Sequence, residues 1–439
     1  MTEVIASNET ILVVGAGISG LTAALEAAEC GKQVILLEKN PAIGGRVSQL
    51  YRYFPKLCKP ACGLEINVRR LKANPRVRLL TMAEVTAIDG TAGDYTVSVH
   101  IHPRYVNENC TACGACAEVV SQEIDDVFNY NMGKIKAAYL PHNAAYPQRY
   151  VLDPSLIGSP EADAAKHACQ YDAIDLEMQD QQLQIKAGAI IWATGWKPYD
   201  AAKIQAYGYD RYDNVITSVE FERMMDKFGP TAGRLLRPSD GKEAKNIAFI
   251  QCAGSRDQNH LPHCSRICCM ASLKQSTYLS EQYGEDTDAS ATIYYIDIRA
   301  IDRFEDFYRQ VQADEKVHFI KSKVASVTGD HSSGDVILHG VNTEGYHRYA
   351  NQHDLCVLAI GMQPSVPAAD INGGLHSDSS GFIELDPANG AIYGAGCAGN
   401  ALDVNRATQS ATAAALHAIQ AVNRVARATA TDDRGVART

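Results

Sequence analysis

Nine of the thirteen cysteines fall into three groups: Cys58 and Cys62; Cys110, Cys113 and Cys116; Cys252, Cys264, Cys268 and Cys269. Clustered thiols hold a metal or an iron–sulfur cluster, exchange electrons as a dithiol, or pack as small hydrophobes. Cys110-x2-Cys113-x2-Cys116 has the spacing of half a bacterial [4Fe–4S] motif. The fourth cysteine of such a repeat ligates the other cluster of a pair. Here it is missing, and Ala117, Glu118 and Val119 follow instead. KHACQYDAIDLE (166–177) reads as the end of a second repeat, of which only Cys169 survives. Crossed ligation makes Cys110, Cys113, Cys116 and Cys169 one complete set and leaves the other cluster without ligands. That set predicts one [4Fe–4S] cluster. Zinc on the same thiolates and a metal-free relic are the alternatives.

Elements around the N-terminus say what these thiols serve. ILVVGAGISG (11–20) is a short apolar strand running into Gly15-x-Gly17-x-x-Gly20, and LTAALEAAECG continues with helical spacing to a stop at Gly31. QVILLEK is a second strand, ending at Glu38. In such a unit the glycines allow a tight turn, close approach of a diphosphate, and helix–strand packing. The diphosphate sits on the helix N-terminus, and the acid holds a ribose hydroxyl. A buried strand, NIAFIQ (246–251), stands where a second loop of this kind belongs, yet Cys252-Ala253-Gly254-Ser255-Arg256 follows, with a single glycine. No NAD(P) site is expected there. The helix CCMASLKQSTYLSEQYG starts at Cys268, so several thiols lie at a helix N-terminus, which lowers thiol pKa. A second [4Fe–4S] site is the first reading of Cys252, Cys264, Cys268 and Cys269, with a redox thiol pair or packing as alternatives. Of the scattered cysteines, Cys30 and Cys356 are expected to be small buried hydrophobes.

Later segments separate FAD from NAD by resemblance. IGGR (Ile43 to Arg46), LLTMAEVTAID (79–89), AIIWATGW (189–196), LCVLAIGMQPS (355–365) and GFIELD…AIYGAGCAGN (381–400), with an alanine-rich helix over 406–425, resemble the motifs of FAD-binding reductases. The fold implied is α/β: a thioredoxin-reductase-like flavoprotein with two dinucleotide-binding domains and an inserted, degenerate ferredoxin-like segment. The likeness implies flavin contacts at Gly15, Gly17, Gly20, Glu38, Lys39, Gly44, Gly45, Arg46, Gln49, Val85 (by its backbone, to adenine), Thr194, Gly195, Gly396 and Cys397. One departure is Gly394-Ala395-Gly396-Cys397, where the family pattern ends in Gly-Asp with the acid on the ribityl chain. Expected segments are 1–105, first part of the FAD domain; 106–180, the insert; 181–245, FAD continuation and linker; 246–354, second dinucleotide-type domain with its cysteines; 355–439, last part of the FAD domain.

IGGRVSQLYRYFPKLC, CTACGAC and CAGSRD…HCSRICCM occur here in the order found in HdrA, the flavin subunit of heterodisulfide reductase. FPKLCKPACGLEIN, NPRVRLLTMAEV, PRYVNENC, FNYNMGKIKAAYLPH, WATGWKPYDAAKI and IYYIDIRAIDRFEDFY resemble still more closely the flavoprotein subunits, QmoA, of the quinone-interacting membrane-bound oxidoreductase (Qmo) complexes. That likeness, over residues 10 to about 420, implies an electron-transfer subunit with FAD and one or two [4Fe–4S] clusters. It would pass electrons between the menaquinone pool and adenylylsulfate reductase in dissimilatory sulfur metabolism. The implied partners are a QmoB-like, HdrA-related subunit, a haem-bearing membrane subunit, and adenylylsulfate reductase. A flavin-bifurcating HdrA-type subunit and a freestanding NAD(P)H disulfide reductase are the rival readings. For Cys58-x3-Cys62, set beside Lys56 and Lys59 and interrupted by Pro60, a redox or cluster-ligating role, a partner-facing thiol and inert packing all stand. No residue is assigned acid–base catalysis on a small substrate.

The totals agree with a large protein core. The chain has 439 residues, 46% of them hydrophobic, and a formal net charge of −10, which argues against nucleic acid as a main partner. No run reaches the ~18 apolar residues of a membrane span. MTEVIASNET lacks the basic start and apolar stretch of a signal peptide. The expected location is cytoplasmic, on the inner face of the membrane through partner subunits.

Overall fold

The computed structural model describes residues 3–435, apart from 55, 285–287, 331, 366–370, 372–374 and 385–389. The 385–389 stretch of the 381–400 motif therefore lies outside the described residues. The chain divides into two compact units, one of residues 1–48, 61–196 and 364–439, the other of 49–60 and 197–363.

The first unit is built on a five-stranded sheet in the order Ile392–Gly394, Ala189–Trp192, Ile11–Val14, Val34–Glu38, Val77–Thr81, with every pairing parallel. Its strands ILVV, VILLE and AIIW are buried at every position. Such near-continuous apolar runs mark parallel strands covered on both faces. Helix Ile18–Glu29 and the long helix Val404–Gly435 contribute the core residues Leu21, Leu25, Ala411, Ala414, Ala418 and Val422. Beside this lies a four-stranded sheet in the order Glu3–Ile5, Gln181–Ala187, Asp94–Ile101, Ala83–Thr91. The inserted segment has its own small core, with Val106, Val120, Leu152, Leu156, Ala162, Ala165 and Ile174 around Cys116. The bridge Val106↔Ile174 closes its neck.

The second unit carries another parallel five-stranded sheet, ordered Val215–Thr217, Leu355–Ile360, Asn246–Ala253, Ser290–Tyr295, Val317–Lys321. Helix Cys268–Tyr283 follows the Asn246–Ala253 strand.

Three expectations change. Residues 79–89 are two strands in two sheets, Val77–Thr81 and Ala83–Thr91. Met82 between them takes φ +57°, a left-handed turn that ends one ladder and starts the next. Residues 197–245 and 355–363, expected with the FAD domain, fall in the second compact unit. The cause is that Leu355–Ile360 pairs with Val215–Thr217 and Asn246–Ala253 and so belongs to the second sheet. Cys30 is exposed, while Cys356 is buried. Cys30 is the C-cap of helix Ile18–Glu29, one step past its last packed turn.

Candidate functional site

Four glycine-bearing loops meet at the carboxyl ends of the first sheet's strands. Helix Ile18–Glu29 starts from Gly17 with no side-chain cap, so its first N–H groups face outward as an anion site. A Cβ on Gly20 would overlap the Gly15 carbonyl oxygen, and one on Gly15 would stand 2.8 Å from the Ala193 carbonyl carbon. The dinucleotide loop and the Ala193–Gly195 loop are therefore in backbone contact. Gly17 pairs with Gly44, and a Cβ on Gly45 would stand 2.9 Å from the Gly17 Cα. Gly396, at φ +62°, leaves no room for a Cβ beside Ser19. The Gly394–Ala398 turn thus reaches the first turn of the same helix.

Glu38 ends the second strand, 5% exposed. Its carboxylate accepts from Ala16 N at 2.9 Å, Asn40 N at 2.9 Å and Asn40 Nδ2 at 2.7 Å. Burial pushes its pKa up, and these hydrogen bonds oppose the shift. Lys39 beside it is exposed. Thr194 Oγ1 is buried without a hydrogen-bond partner, an acceptor and donor awaiting a ligand in a loop otherwise made of backbone. FAD therefore fits: the cradle has helix N–H groups, glycines where side chains would intrude, an acid at the ribose position and an orphaned hydroxyl. Where the Gly-Asp acid is missing, Cys397 Sγ donates to Leu402 O at 3.3 Å, and burial raises that thiol to about 11. The nearest acid in sequence, Asp403, accepts from Arg406 N at 3.0 Å and caps the long helix. Val85 is half-buried at a bulge in the Ala83–Thr91 strand. Gln49 falls in the second unit, where its carbonyl accepts from Arg223 Nη1 at 3.2 Å.

The insert touches the flavin cradle. Arg46 Nη1 donates to Tyr130 OH at 3.1 Å, and Nε to Trp196 O at 3.1 Å. Its guanidinium lies over both rings, 5.5 Å from the Tyr130 centroid and 5.6 Å from that of Trp196. Ile43 N donates to Tyr146 O at 2.9 Å, and Arg104 Nη2 to Pro41 O. Within the insert, Cys110, Cys113, Cys116 and Cys169 line one cavity, walled by Val106, Tyr150, Tyr171 and Ile174. Ala112 N donates to Cys110 Sγ and Ala173 N to Cys169 Sγ, each at 3.4 Å. N–H donors on sulfur are a device by which proteins tune iron–sulfur clusters. The left-handed Ala112 (φ +55°) and Gly114 (φ +89°) coil the loop around the cavity. Burial raises the Cys116 thiol to about 11, and the neighbouring Cys110 adds to the shift.

In the second unit Cys252, next to last in the strand Asn246–Ala253, takes φ +57°. The loop after it is tied down by Ser255 Oγ to Ser265 Oγ at 2.7 Å and Met362 N to Ser265 Oγ at 2.8 Å. Arg266 N donates to Cys264 Sγ at 3.4 Å, and Arg256 Nη1 approaches Cys252 Sγ at 3.8 Å. Cys268 and Cys269 open the helix and are buried. Contrary to the sequence expectation, their thiols are raised, Cys269 to about 11 and Cys268 well above its ordinary value. Burial at this helix start outweighs the dipole and disfavours the free thiolate. One zinc ion would hold its sulfurs about 3.8 Å apart. Among the described residues no three of the thiols have sulfurs all within 4.8 Å of one another, a spacing wider than zinc sets.

Cys58 and Cys62 do not share a helix face. Helix Pro60–Ala73 starts at the proline between them, where a missing N–H costs nothing. Cys58 precedes the helix in a bridge to Tyr53, and Cys62 is exposed in its first turn. Sequence reading missed a cluster of His100, His102 and Asp180, whose ligating atoms lie within 4.8 Å of one another. The H-x-H on an alternating strand was its one local signal. No helix among the described residues is long and apolar enough to cross a membrane.

The family model described as FAD dependent oxidoreductase matches residues 10–65. The second iron-sulfur A-type subunit of the CoB–CoM heterodisulfide reductase of Methanopyrus kandleri is 37% identical over 428 residues, 94% of this chain and 64% of its own length. The corresponding A-type subunit of the H2:CoB-CoM heterodisulfide,ferredoxin reductase of Methanothermobacter marburgensis is 34% identical over 430 residues, 94% of this chain and 63% of its own. The chain thus spans just under two thirds of these relatives. Thioredoxin reductase of T. acidophilum superposes with TM-score 0.51 at 14% identity, covering 94% of this chain and 98% of that one. The enzyme of Lactococcus lactis gives 0.50 at 14%, covering 95% and 99%. Those two likenesses establish the α/β thioredoxin-reductase-like fold. Read with the glycine cradle around helix Ile18–Glu29, these relationships identify an FAD-dependent oxidoreductase chain that is similar, over 94% of its length, to A-type subunits of heterodisulfide reductase.

Proposed function

We propose that this chain is the flavin and iron–sulfur electron-transfer subunit of a heterodisulfide-reductase-type complex. FAD converts between two-electron and one-electron transfer, and [4Fe–4S] clusters relay single electrons. Gly15, Gly17, Gly20, Gly44, Gly45, Thr194, Gly195 and Gly396 form the flavin cradle, with Glu38 at the ribose. Cys110, Cys113, Cys116 and Cys169 hold one cluster; Cys252, Cys264, Cys268 and Cys269 hold a second. The observation that carries this reading is the single cavity lined by all four cysteines of the insert. The bonds from Tyr130 and Tyr146 to the loop of Arg46 and Ile43 support a short route between that cluster and the flavin. Anaerobically purified protein is expected to carry one FAD and two sets of iron and sulfide per chain. Cys110→Ala and Cys268→Ala should each remove a different paramagnetic signal. If neither does, both cluster assignments fail.

The finer role rests on motif likeness. The Qmo resemblance supports exchange between menaquinone and adenylylsulfate reductase, through an HdrA-related subunit and a haem-bearing membrane subunit. Its test is reduction of the flavin by a menaquinol analogue in the assembled complex and reoxidation by adenylylsulfate reductase. The names of relatives that pair heterodisulfide with ferredoxin favour bifurcation as the other reading. Bifurcation demands crossed one-electron flavin potentials, and an ordinary order measured by titration excludes it.

A further inference from the structure

His100, His102 and Asp180 form a group outside both cluster sets. His100 lies on the strand Asp94–Ile101 and His102 just past its end, two residues apart and so on one face. Neighbouring strands supply carboxylates to that face. Glu84 is opposite His100 on one side, and Asp180 precedes Gln181, the partner of Ile101, on the other. His100 Nε2 stands 2.6 Å and His102 Nδ1 3.5 Å from the same Asp180 oxygen, and the rings are 4.2 Å apart between centroids. Two nitrogens and an oxygen bound to one ion at zinc distances lie about 2.9 to 3.4 Å apart, so the observed spacings bracket that range. The second nitrogen of His102 points the other way, to Glu84 Oε2 at 3.7 Å. A carboxylate behind a ligating imidazole orients it and raises its basicity.

We propose that His100, His102 and Asp180 bind a divalent transition-metal ion of the zinc class, with Glu84 as the outer partner of His102. Two imidazoles and one carboxylate suit such an ion and leave coordination positions open. The site's place gives it a consequence. His102 is where the chain leaves the sheet for the insert, and Asp180 is where it returns, with the Val106↔Ile174 bridge next inward. A bound ion staples the two strands of the neck that carries Cys110, Cys113, Cys116 and Cys169.

The test is equilibrium dialysis of anaerobic holoprotein against zinc chloride, with zinc and iron counted per chain. Wild type is expected to bind one zinc more than His100→Gln/His102→Gln at equal iron. Glu84→Gln and Asp180→Asn alter exposed side chains and leave the fold in place. Glu84→Gln should weaken zinc by about 10- to 100-fold, and Asp180→Asn by at least as much. Zinc should also slow hydrogen exchange at residues 102–106 and 174–180 in wild type and not in the double variant, which a plain histidine–aspartate ion pair does not predict. Equal zinc in wild type and double variant, or zinc that leaves exchange at the neck unchanged, overturns the proposal. Neither outcome bears on the cluster assignments, which are read from iron and sulfide.

Discussion

Replacing Gly45 by alanine should release the flavin without unfolding the protein, and the structure gives the size of the effect. The new Cβ would stand 2.9 Å from the Gly17 Cα, against an optimum of about 3.5–4.0 Å between carbons. The two loops must part by about 0.6–1 Å, and overpacking of that kind costs about 1–3 kcal/mol. Gly45 also sits at φ +54°, where a side chain costs about 1–2 kcal/mol. Gly31 separates the two terms. It has φ +87° with nothing within 4 Å of its would-be Cβ, so Gly31→Ala bears the backbone cost alone. Free protein relieves the Gly45 clash by letting its loops separate, and bound flavin requires them closed. The packing cost therefore falls on binding and weakens FAD by about 5- to 150-fold. Flavin fluorescence quenching on deflavinated protein reads the affinity, and thermal unfolding reads the stability. If Gly45→Ala binds FAD as tightly as Gly31→Ala does, the cradle assigned to these loops is wrong.

Three further outcomes follow from other parts of the molecule. Cys169→Ser should lower iron by one cluster's worth per chain and Cys30→Ser should not, because Cys169 lines the cavity of Cys110, Cys113 and Cys116 and Cys30 is exposed; iron and sulfide analysis decides. Burial holds His353 down to about 4, and its ring lies between Tyr294 OH at 2.9 Å and Asn246 Oδ1 at 2.7 Å. The unfolded chain then binds the extra proton below pH 6.5, so His353 contributes stability that is lost as pH falls from about 6.5 to about 4, by about 3 kcal/mol. Denaturant unfolding across that window should flatten in His353→Gln. Lys274 Nζ pairs with Glu222 at 2.8 Å, both side chains buried; Lys274→Met should cost about 3–5 kcal/mol by stranding the carboxylate, and Glu222→Gln/Lys274→Met should recover most of it in the same unfolding assay.

What could be read without coordinates divides by physical cause. Parallel strands buried on both faces are near-continuous apolar runs, so ILVV, VILLE and AIIW announce themselves, and the glycine loops follow because they adjoin those strands. The grouping of the insert's four cysteines was legible for a different reason: loss of one repeat's cysteines leaves a set whose members must converge if crossed ligation holds, and they share one cavity. The break at Met82 was not legible, since LLTMAEVTAID has no glycine or proline and the turn lies in one left-handed φ of +57°. Burial depth was also hidden. Position at a helix start argues for acidic thiols at Cys268 and Cys269, yet the environment that decides their pKa is assembled from the 252–267 loop and the strand Leu355–Ile360, where Cys268 Sγ meets Ile360 O at 3.8 Å. The group of His100, His102 and Asp180 shows the same limit in its sharpest form. Its two histidines lie two residues apart at the end of one strand, but the carboxylate joins them only because the far end of the insert returns to the same sheet. Register across a long insertion is set by tertiary pairing, and no local pattern in either stretch encodes it.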